Sequence, residues 1–211
     1  TLDKLVELAA LAHQEKRDFL EGLIGETGQR PLGLLAQARD GQPYVALERA
    51  SGLIAVDGLN ECVQVLLNTE LHASKEAAHF GARILAHLEK ACRRESDRVG
   101  VALALAQNND ATVSRRFAAL DTQAFPKTAA TAVKTEAIGQ TMHYTTGARV
   151  RRDAGLNPIE VVRLEGGFHG YLPHGAVSET ALPMENASEE AITDFLVKSY
   201  RQTGNRRIVF G

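Results

Sequence analysis

The chain has no tryptophan, only two cysteines and six prolines, and 5% aromatic residues in 211 positions. Cys62 and Cys92 stand far apart and form neither a disulfide framework nor a CxxC pair, which excludes a cysteine-stapled secreted scaffold and points to a reducing, cytoplasmic compartment. Charge of one sign is missing too. Lys plus Arg is 24 against 26 Asp plus Glu, a formal net charge of −2, so there is no basic field to hold a nucleic acid polymer. No apolar run approaches the roughly 18 residues that cross a bilayer, and no basic-then-apolar leader opens the chain, which excludes a membrane partner. P-loop, GxGxxG, HExxH, GxSxG and kinase signatures are all lacking. The seven histidines are scattered without zinc-ligand spacing, so no metal is assigned. There is no fixed-period repeat and no low-complexity tract.

What is there is the balance of a folded globular chain, 44% hydrophobic and 24% charged. The first residue is Thr1 rather than Met, which suggests a piece of something longer. Leu2, Leu5, Ala9, Ala12, Phe19, Leu20 and Leu23, widened by Leu8 and Leu11, predict an amphipathic helix over 2–24 with Lys16 on its apolar stripe. Gly25 and Gly28 are expected to stop it, and a loop with Pro31, Gly41 and Pro43 to follow. The run 53–56 reads as a strand ending at Asp57-Gly58-Leu59-Asn60, followed by a helix through Val63 and Leu67. Ser74 is a good helix N-cap, and Ala77, Phe80, Gly81, Ile84, Leu85, Leu88 and Cys92 form the cleanest helical stripe. After a turn over 97–100, residues 101–106 suit a buried strand, and a helix carrying Val113, Phe117, Ala118 and Leu120 follows residues 107–110. Two strand–loop–helix units argue for a parallel α/β arrangement. Beyond them come a polar connection over 121–140, a short helix opened by Asn157-Pro158, a loop-rich stretch around Gly166-Gly167, Gly170 and Gly175, and a strand over 176–182. A helix capped by Ser188 and a strand from Arg207 complete the chain.

In parallel α/β folds ligands gather at the carboxyl ends of strands. Two loops meet that description, residues 57–61 and 107–112, each just before a helix whose free amides favour an anion. One reading is a phosphorylated small molecule at one of these helix starts. The other is that Asn108, Asn109 and Asp110 simply cap a helix. Asn60 and Glu61 follow a hydrophobic strand, where a carboxylate suits acid or base work once desolvated; the plainer reading is a first-turn Glu that complements the helix dipole. Cys62 beside them is either a redox thiol or a small buried hydrophobe.

Read in order, several strings resemble the anaerobic ribonucleoside-triphosphate reductases, which are glycyl-radical enzymes. They are Lys16-Arg17-Asp18-Phe19-Leu20, Asp40-Gly41-Gln42-Pro43-Tyr44, Asp57-Gly58-Leu59-Asn60-Glu61 and Glu70-Leu71-His72-Ala73-Ser74. Arg116-Phe117-Ala118-Ala119-Leu120-Asp121, His143-Tyr144-Thr145-Thr146, Asn157-Pro158-Ile159-Glu160, Leu164-Glu165-Gly166-Gly167-Phe168-His169 and Gly175-Ala176-Val177 continue the likeness. It spans nearly the whole chain and part of the family's longer protein.

The resemblance implies that residues 1–211 are a single segment of a larger catalytic domain, a ten-stranded α/β barrel of the glycyl-radical enzyme and ribonucleotide reductase type. It implies an oxidoreductase that makes deoxyribonucleotides from ribonucleotides by glycyl and thiyl radical chemistry. The thiyl radical removes the ribose 3′ hydrogen and the 2′ hydroxyl leaves as water. A partner activase using S-adenosylmethionine and an iron–sulfur cluster generates the radical, the substrate is a ribonucleoside triphosphate or a related small anion, and the assembly is a homodimer. Asn60 and Glu61 are placed near the substrate, with Glu61 exchanging a proton with a ribose hydroxyl and Asn60 orienting it. Asn108, Asn109, Asp110, Ala111 and Thr112 are placed at the phosphates, and Arg116 and Asp121 brace the helix behind them. The family's Glu-Thr-Pro-Ala-Glu-Ser loop reads Gln107-Asn108-Asn109-Asp110-Ala111-Thr112 here, and its Tyr-Thr-Asn-Ser reads Tyr144-Thr145-Thr146-Gly147. The radical glycine, the four-cysteine metal site and the finger-loop cysteine have no counterpart in the chain, so this segment alone is expected to be inactive. Two alternatives stand beside this reading: a glycyl-radical enzyme of the same lineage with a non-nucleotide substrate, and a non-catalytic scaffold domain.

Overall fold

A computed structural model describes residues 1–25, 30–135, 142–181 and 188–211. Gly28, Leu182 and the 136–140 end of the expected polar connection lie outside the described residues. The chain forms two compact units, residues 1–54 with 88–104, and residues 55–87 with 105–211.

The first unit opens with α1 (Leu2–Ile24), which ends at Gly25 in a positive-φ conformation. The helix has the expected length but packs on a different side. Val6, Ala10 and Ile24 are buried, while Leu5 (63%), Leu8 (52%) and Phe19 (66%) are exposed, and so is Lys16. More than one face of this helix is apolar, and periodicity alone cannot say which of them finds a neighbour. The expected loop contains a small antiparallel hairpin, β1 (Ala38–Arg39) with β2 (Gln42–Pro43). Its turn residues Asp40 and Gly41 both have positive φ, the signature of the two-residue turn that matches strand twist. Ala10, Val101 and Leu103 form a small core with Ile54 and Val99 against it.

Three elements contribute to both units: β3 (Ser51–Val56), α3 (Lys75–Val99) and the strand over 102–107. The Ser74 hydroxyl caps α3 by accepting from the Ala77 amide at 3.0 Å. Asp97, Arg98 and Val99 are its last turn rather than a loop, and Gly100 makes the turn into β4 (Ala102–Gln107), the neighbour of β3.

The second unit holds α2 (Leu59–Leu67), α4 (Ala111–Ala124), α5 (Pro126–Ala132), β5 (Lys134–Thr135), β6 (Met142–His143), α6 (Pro158–His169), β7 (Ser178–Thr180), α7 (Glu189–Gln202) and β8 (Ile208–Phe210). Leu59, Asn60 and Glu61 are therefore helical rather than part of the loop. The polar connection is largely helical too, because Pro126 fits the first position of α5 and alanines carry it to Ala132. Gly166 and Gly167 also lie inside α6, whose Asn157 and Glu160 form a reciprocal capping box. At Gly166 a Cβ would stand 2.6 Å from the Asn205 amide nitrogen, so close approach explains the glycine. Leu59, Leu71, Leu85, Leu105, Phe168 and Leu172 are fully buried here, each stabilising the unit by about 1.5–3 kcal/mol.

The described strands make four two-stranded pairs; β5–β6 is antiparallel, β7–β8 is parallel, and a parallel bridge joins Ala106 to His174. The architecture is an α/β segment.

Candidate active site

At the end of β3 the chain turns through Asp57 and Gly58, and Gly58 takes the left-handed conformation that starts α2. No side chain caps this helix. The amides of Gly58 and Leu59 donate instead to the carbonyls of Thr145 and Gly147, both at 3.2 Å. Asp57 is spent on the same contact: its Oδ1 accepts from the Gly147 amide at 2.8 Å and from the Ser114 hydroxyl at 3.0 Å.

Glu61 sits in the first turn of α2 and is 3% exposed. Its Oε1 accepts from the Thr145 hydroxyl at 2.6 Å and the Thr145 amide at 3.1 Å, while Oε2 is buried without a hydrogen-bond partner among the described residues. Burial raises the affinity of this carboxyl for its proton, and it outweighs the Thr145 hydrogen bonds that oppose it. This is not a solvent-facing carboxylate complementing a dipole. Asn60 is fully buried, and its carbonyl accepts from the Leu71 amide at 3.0 Å, so it pins the chain after α2.

The second loop is organised differently. Asp110 caps α4 by accepting from the Thr112 amide at 2.8 Å, and Asn108 Oδ1 accepts from the Asp110 amide at 3.0 Å. Asn109 donates to the Gly175 carbonyl at 2.8 Å and accepts from Arg149. The capping reading describes Asn108 and Asp110 correctly. The two loops are neighbours, because the Asn108 amide donates to the Val56 carbonyl at 3.0 Å.

Residues 144–151 tie the loops together. Tyr144 donates to Asp121 at 2.8 Å, which joins the two motifs that carry these residues. Thr145 holds Glu61, Gly147 holds Asp57, Arg149 reaches Asn109 and Glu179, and the Val150 amide donates to Glu165 at 3.0 Å. Gly147 has φ +67 and a Cβ there would stand 2.3 Å from Gln107 Cγ, so the chain requires glycine at this point.

A cavity of about 760 Å³ opens along this segment. Ala111, Ser114, Tyr144, Thr145 and Thr146 line it, with a cationic wall of Arg115, Lys134, Arg149, Arg151 and Arg152 relieved by Asp153 and Glu179. Of the expected site residues only Ala111 lines it directly. Glu61 meets it through Thr145 and Asn109 through Arg149, while Asn60, Asn108, Asp110 and Thr112 do not line it. Sequence reasoning passed over the arginines at 149, 151 and 152, although basic residues crowded into one short stretch are a legible signal.

A buried polar cluster lies below. Glu165 is 1% exposed, and burial raises its pKa to about 7. His169 Nδ1 accepts from the Arg206 amide at 3.1 Å, which assigns the ring proton to Nε2; burial lowers its pKa to about 4. Ser178 donates to Asn205 at 2.6 Å. Neither cysteine lines the cavity. Burial and the nearby Glu61 both push the Cys62 thiol up, and burial pushes Cys92 to about 11. Among the described residues no group of three or more His, Cys, Asp or Glu is placed to hold a metal, and no helix is long and apolar enough to cross a membrane.

An α/β segment with a buried carboxylate beside a cationic cavity is the class that these observations define. The model of the anaerobic ribonucleoside-triphosphate reductase family matches residues 1–210, and the chain belongs to that family. Its fold is similar to the Thermotoga maritima anaerobic ribonucleotide reductase with glycerol in the active site, at TM-score 0.76 and 18% identity over 99% of this chain and 31% of that one. It is also similar to the same organism's enzyme with dATP bound in the specificity site, at TM-score 0.73 and 19% identity over 99% of this chain and 32% of that one. With dATP and CTP bound, that enzyme matches at TM-score 0.74 and 17% identity, again over 99% and 32%. The chain thus spans about a third of these solved structures. No curated protein sequence matches it.

Proposed function

We propose that the chain is a segment of the ten-stranded catalytic barrel of an anaerobic ribonucleoside-triphosphate reductase, and that its cavity takes part of the substrate site. The observation that carries this reading is the 2.6 Å hydrogen bond between Thr145 and Glu61 at the cavity wall, in a chain of that family. Related solved structures bound to dATP and CTP support a nucleotide ligand. The complete protein then works as a cytoplasmic homodimer with a radical-generating activase.

The chemistry that this segment supplies is proton transfer. A ribose hydroxyl in the cavity gives its proton to Thr145 Oγ1 as Thr145 passes its own to Glu61 Oε1; the reverse sequence protonates a leaving hydroxyl as water. Burial suits Glu61 to proton exchange by raising the affinity of the carboxyl for its proton. Asn60 holds the start of α2 against Leu71, and Asn109 holds Arg149 at the cavity. Asn108, Asp110 and Thr112 shape the α4 start so that Ala111 meets the substrate's phosphate side. In the family a glycyl radical supplies the oxidising equivalent through a thiyl radical. Neither Cys62 nor Cys92 lines the cavity, so no step here runs through a radical.

The test is E61Q in the intact enzyme, with the expected loss of turnover about 10²–10⁴-fold. Nucleotide titration accompanies it. A full-length protein that binds no ribonucleoside triphosphate removes the nucleotide reading.

A further inference from the structure

Both helix starts that face this region are closed by the protein itself. The first amides of α2 meet the Thr145 and Gly147 carbonyls, and α4 is capped by Asp110. An anion in the cavity therefore needs another seat. Of the cationic side chains along its wall, Arg149 and Arg152 already share Glu179, and Arg149 also reaches Asn109.

Arg151 and Lys134 differ. Each faces one carboxylate behind the wall, Glu70, whose oxygens stand 3.0 Å from Arg151 Nε and 3.7 Å from Lys134 Nζ. His72 Nδ1 is 3.6 Å from the same carboxylate, and the exposed Asp153 is 3.4 Å from Arg151 Nε. The Nε of Arg151 is buried and makes no hydrogen bond among the described residues. A guanidinium carries five donors in a planar fork that matches an oxyanion. Glu70 and Asp153 balance these two cations, but the wall as a whole carries five, Arg115, Lys134, Arg149, Arg151 and Arg152, against the three carboxylates Glu70, Asp153 and Glu179.

We propose that Arg151 and Lys134 form an oxyanion seat in this cavity, with Glu70 as the positioning residue that aims both. The seat takes a phosphoryl or carboxylate oxyanion through the Arg151 fork, with Lys134 as a point charge beside it. It rests on the reading of the cavity as a substrate site and assigns a role to the Glu70-Leu71-His72 string that the proton-transfer scheme leaves unused.

The experiment is calorimetric titration of the full-length protein with inorganic tripolyphosphate in one arm and tricarballylate in the other. The seat predicts that at least one probe binds and that R151Q and K134Q each weaken it about tenfold or more. E70Q weakens it severalfold, with E70D restoring most of the loss and the salt dependence of binding. Thermal melts check folding, and R151K, which keeps the charge and loses the fork, is expected to cost a few-fold and serves if R151Q does not fold. Affinities within twofold of wild type in folded R151Q and K134Q, or no binding of either probe to wild type, overturn the seat. If tripolyphosphate follows this pattern while ribonucleoside triphosphates fail to bind, the seat stands and the nucleotide reading falls. If ribonucleoside triphosphates bind R151Q as tightly as wild type, the seat falls and the nucleotide reading stands.

Discussion

At the start of α2 the first amides are met by main-chain carbonyls from residues 145 and 147, and two carboxylates, Asp57 and Glu61, are left with buried oxygens that have no hydrogen-bond partner among the described residues. At the start of α4, Asp110 caps the helix and Asn108 accepts from the Asp110 amide, both within their own loop, with Asp110 exposed and Asn108 half-buried. Both are polar turns between a strand and a helix. The difference is where the capping groups come from. A helix start capped by its own loop asks nothing of the rest of the molecule. One capped from residues 144–151 spends Asp57 on that contact and buries Glu61, which raises the proton affinity of Glu61.

This contrast is broken most severely at Glu61, where E61Q is expected to cost turnover about 10²–10⁴-fold in the intact enzyme while leaving the fold in place. Normal turnover would reduce Glu61 to a structural carboxylate. Gly147 touches both loops, and G147A is expected to destabilise by about 3 kcal/mol or more in denaturant unfolding, because it forces a side chain into positive φ and against Gln107. Unchanged stability would mean that the loops are not held together through this residue.

Glu165 anchors the same segment through Val150, and its signature is pH dependence. Its folded pKa is raised to about 7 from 4.5, so its contribution is present below about pH 4.5 and is lost as pH rises to 7, about 3 kcal/mol in all. His169 works in the opposite sense. Its folded pKa is lowered to about 4 from 6.5, so its contribution is present above pH 6.5 and is lost as pH falls to 4. Unfolding of E165Q across pH 4–7 is expected to show stability rising with pH, where wild type shows the two opposing each other. Parallel profiles would mean that the Glu165 carboxyl has the same proton affinity in the folded and unfolded protein. The smallest effect belongs to α4, where D110A is expected to cost about 1 kcal/mol of stability and to leave turnover nearly unchanged. A large loss of turnover would place Asp110 at the substrate instead.

Much of this organisation is legible from residues alone where the signal is local. The N-caps Ser74, Asn157 and Ser188 and the αβ alternation around 53–67 and 101–124 need no tertiary information. Asp110 as a cap is equally local. What stayed hidden depends on partners distant in sequence. Nothing near Glu61 says that Thr145 completes it, and nothing near Gly147 says that Gln107 leaves no room for a side chain. The packed face of α1 was unreadable for a related reason, since its leucines offer more than one apolar face and the choice belongs to the neighbour. The Asp40-Gly41 turn was readable and was overlooked, as were the arginines that turn the cavity cationic.

The claim on which the account rests is that Thr145 and Glu61 act as one proton relay, and a double-mutant cycle on turnover of the intact enzyme tests it. T145V and E61Q are expected to lose activity to similar extents, T145S to retain most of it, and the T145V/E61Q double variant to be no worse than the weaker single. Losses that multiply in the double variant would show two independent residues and no relay.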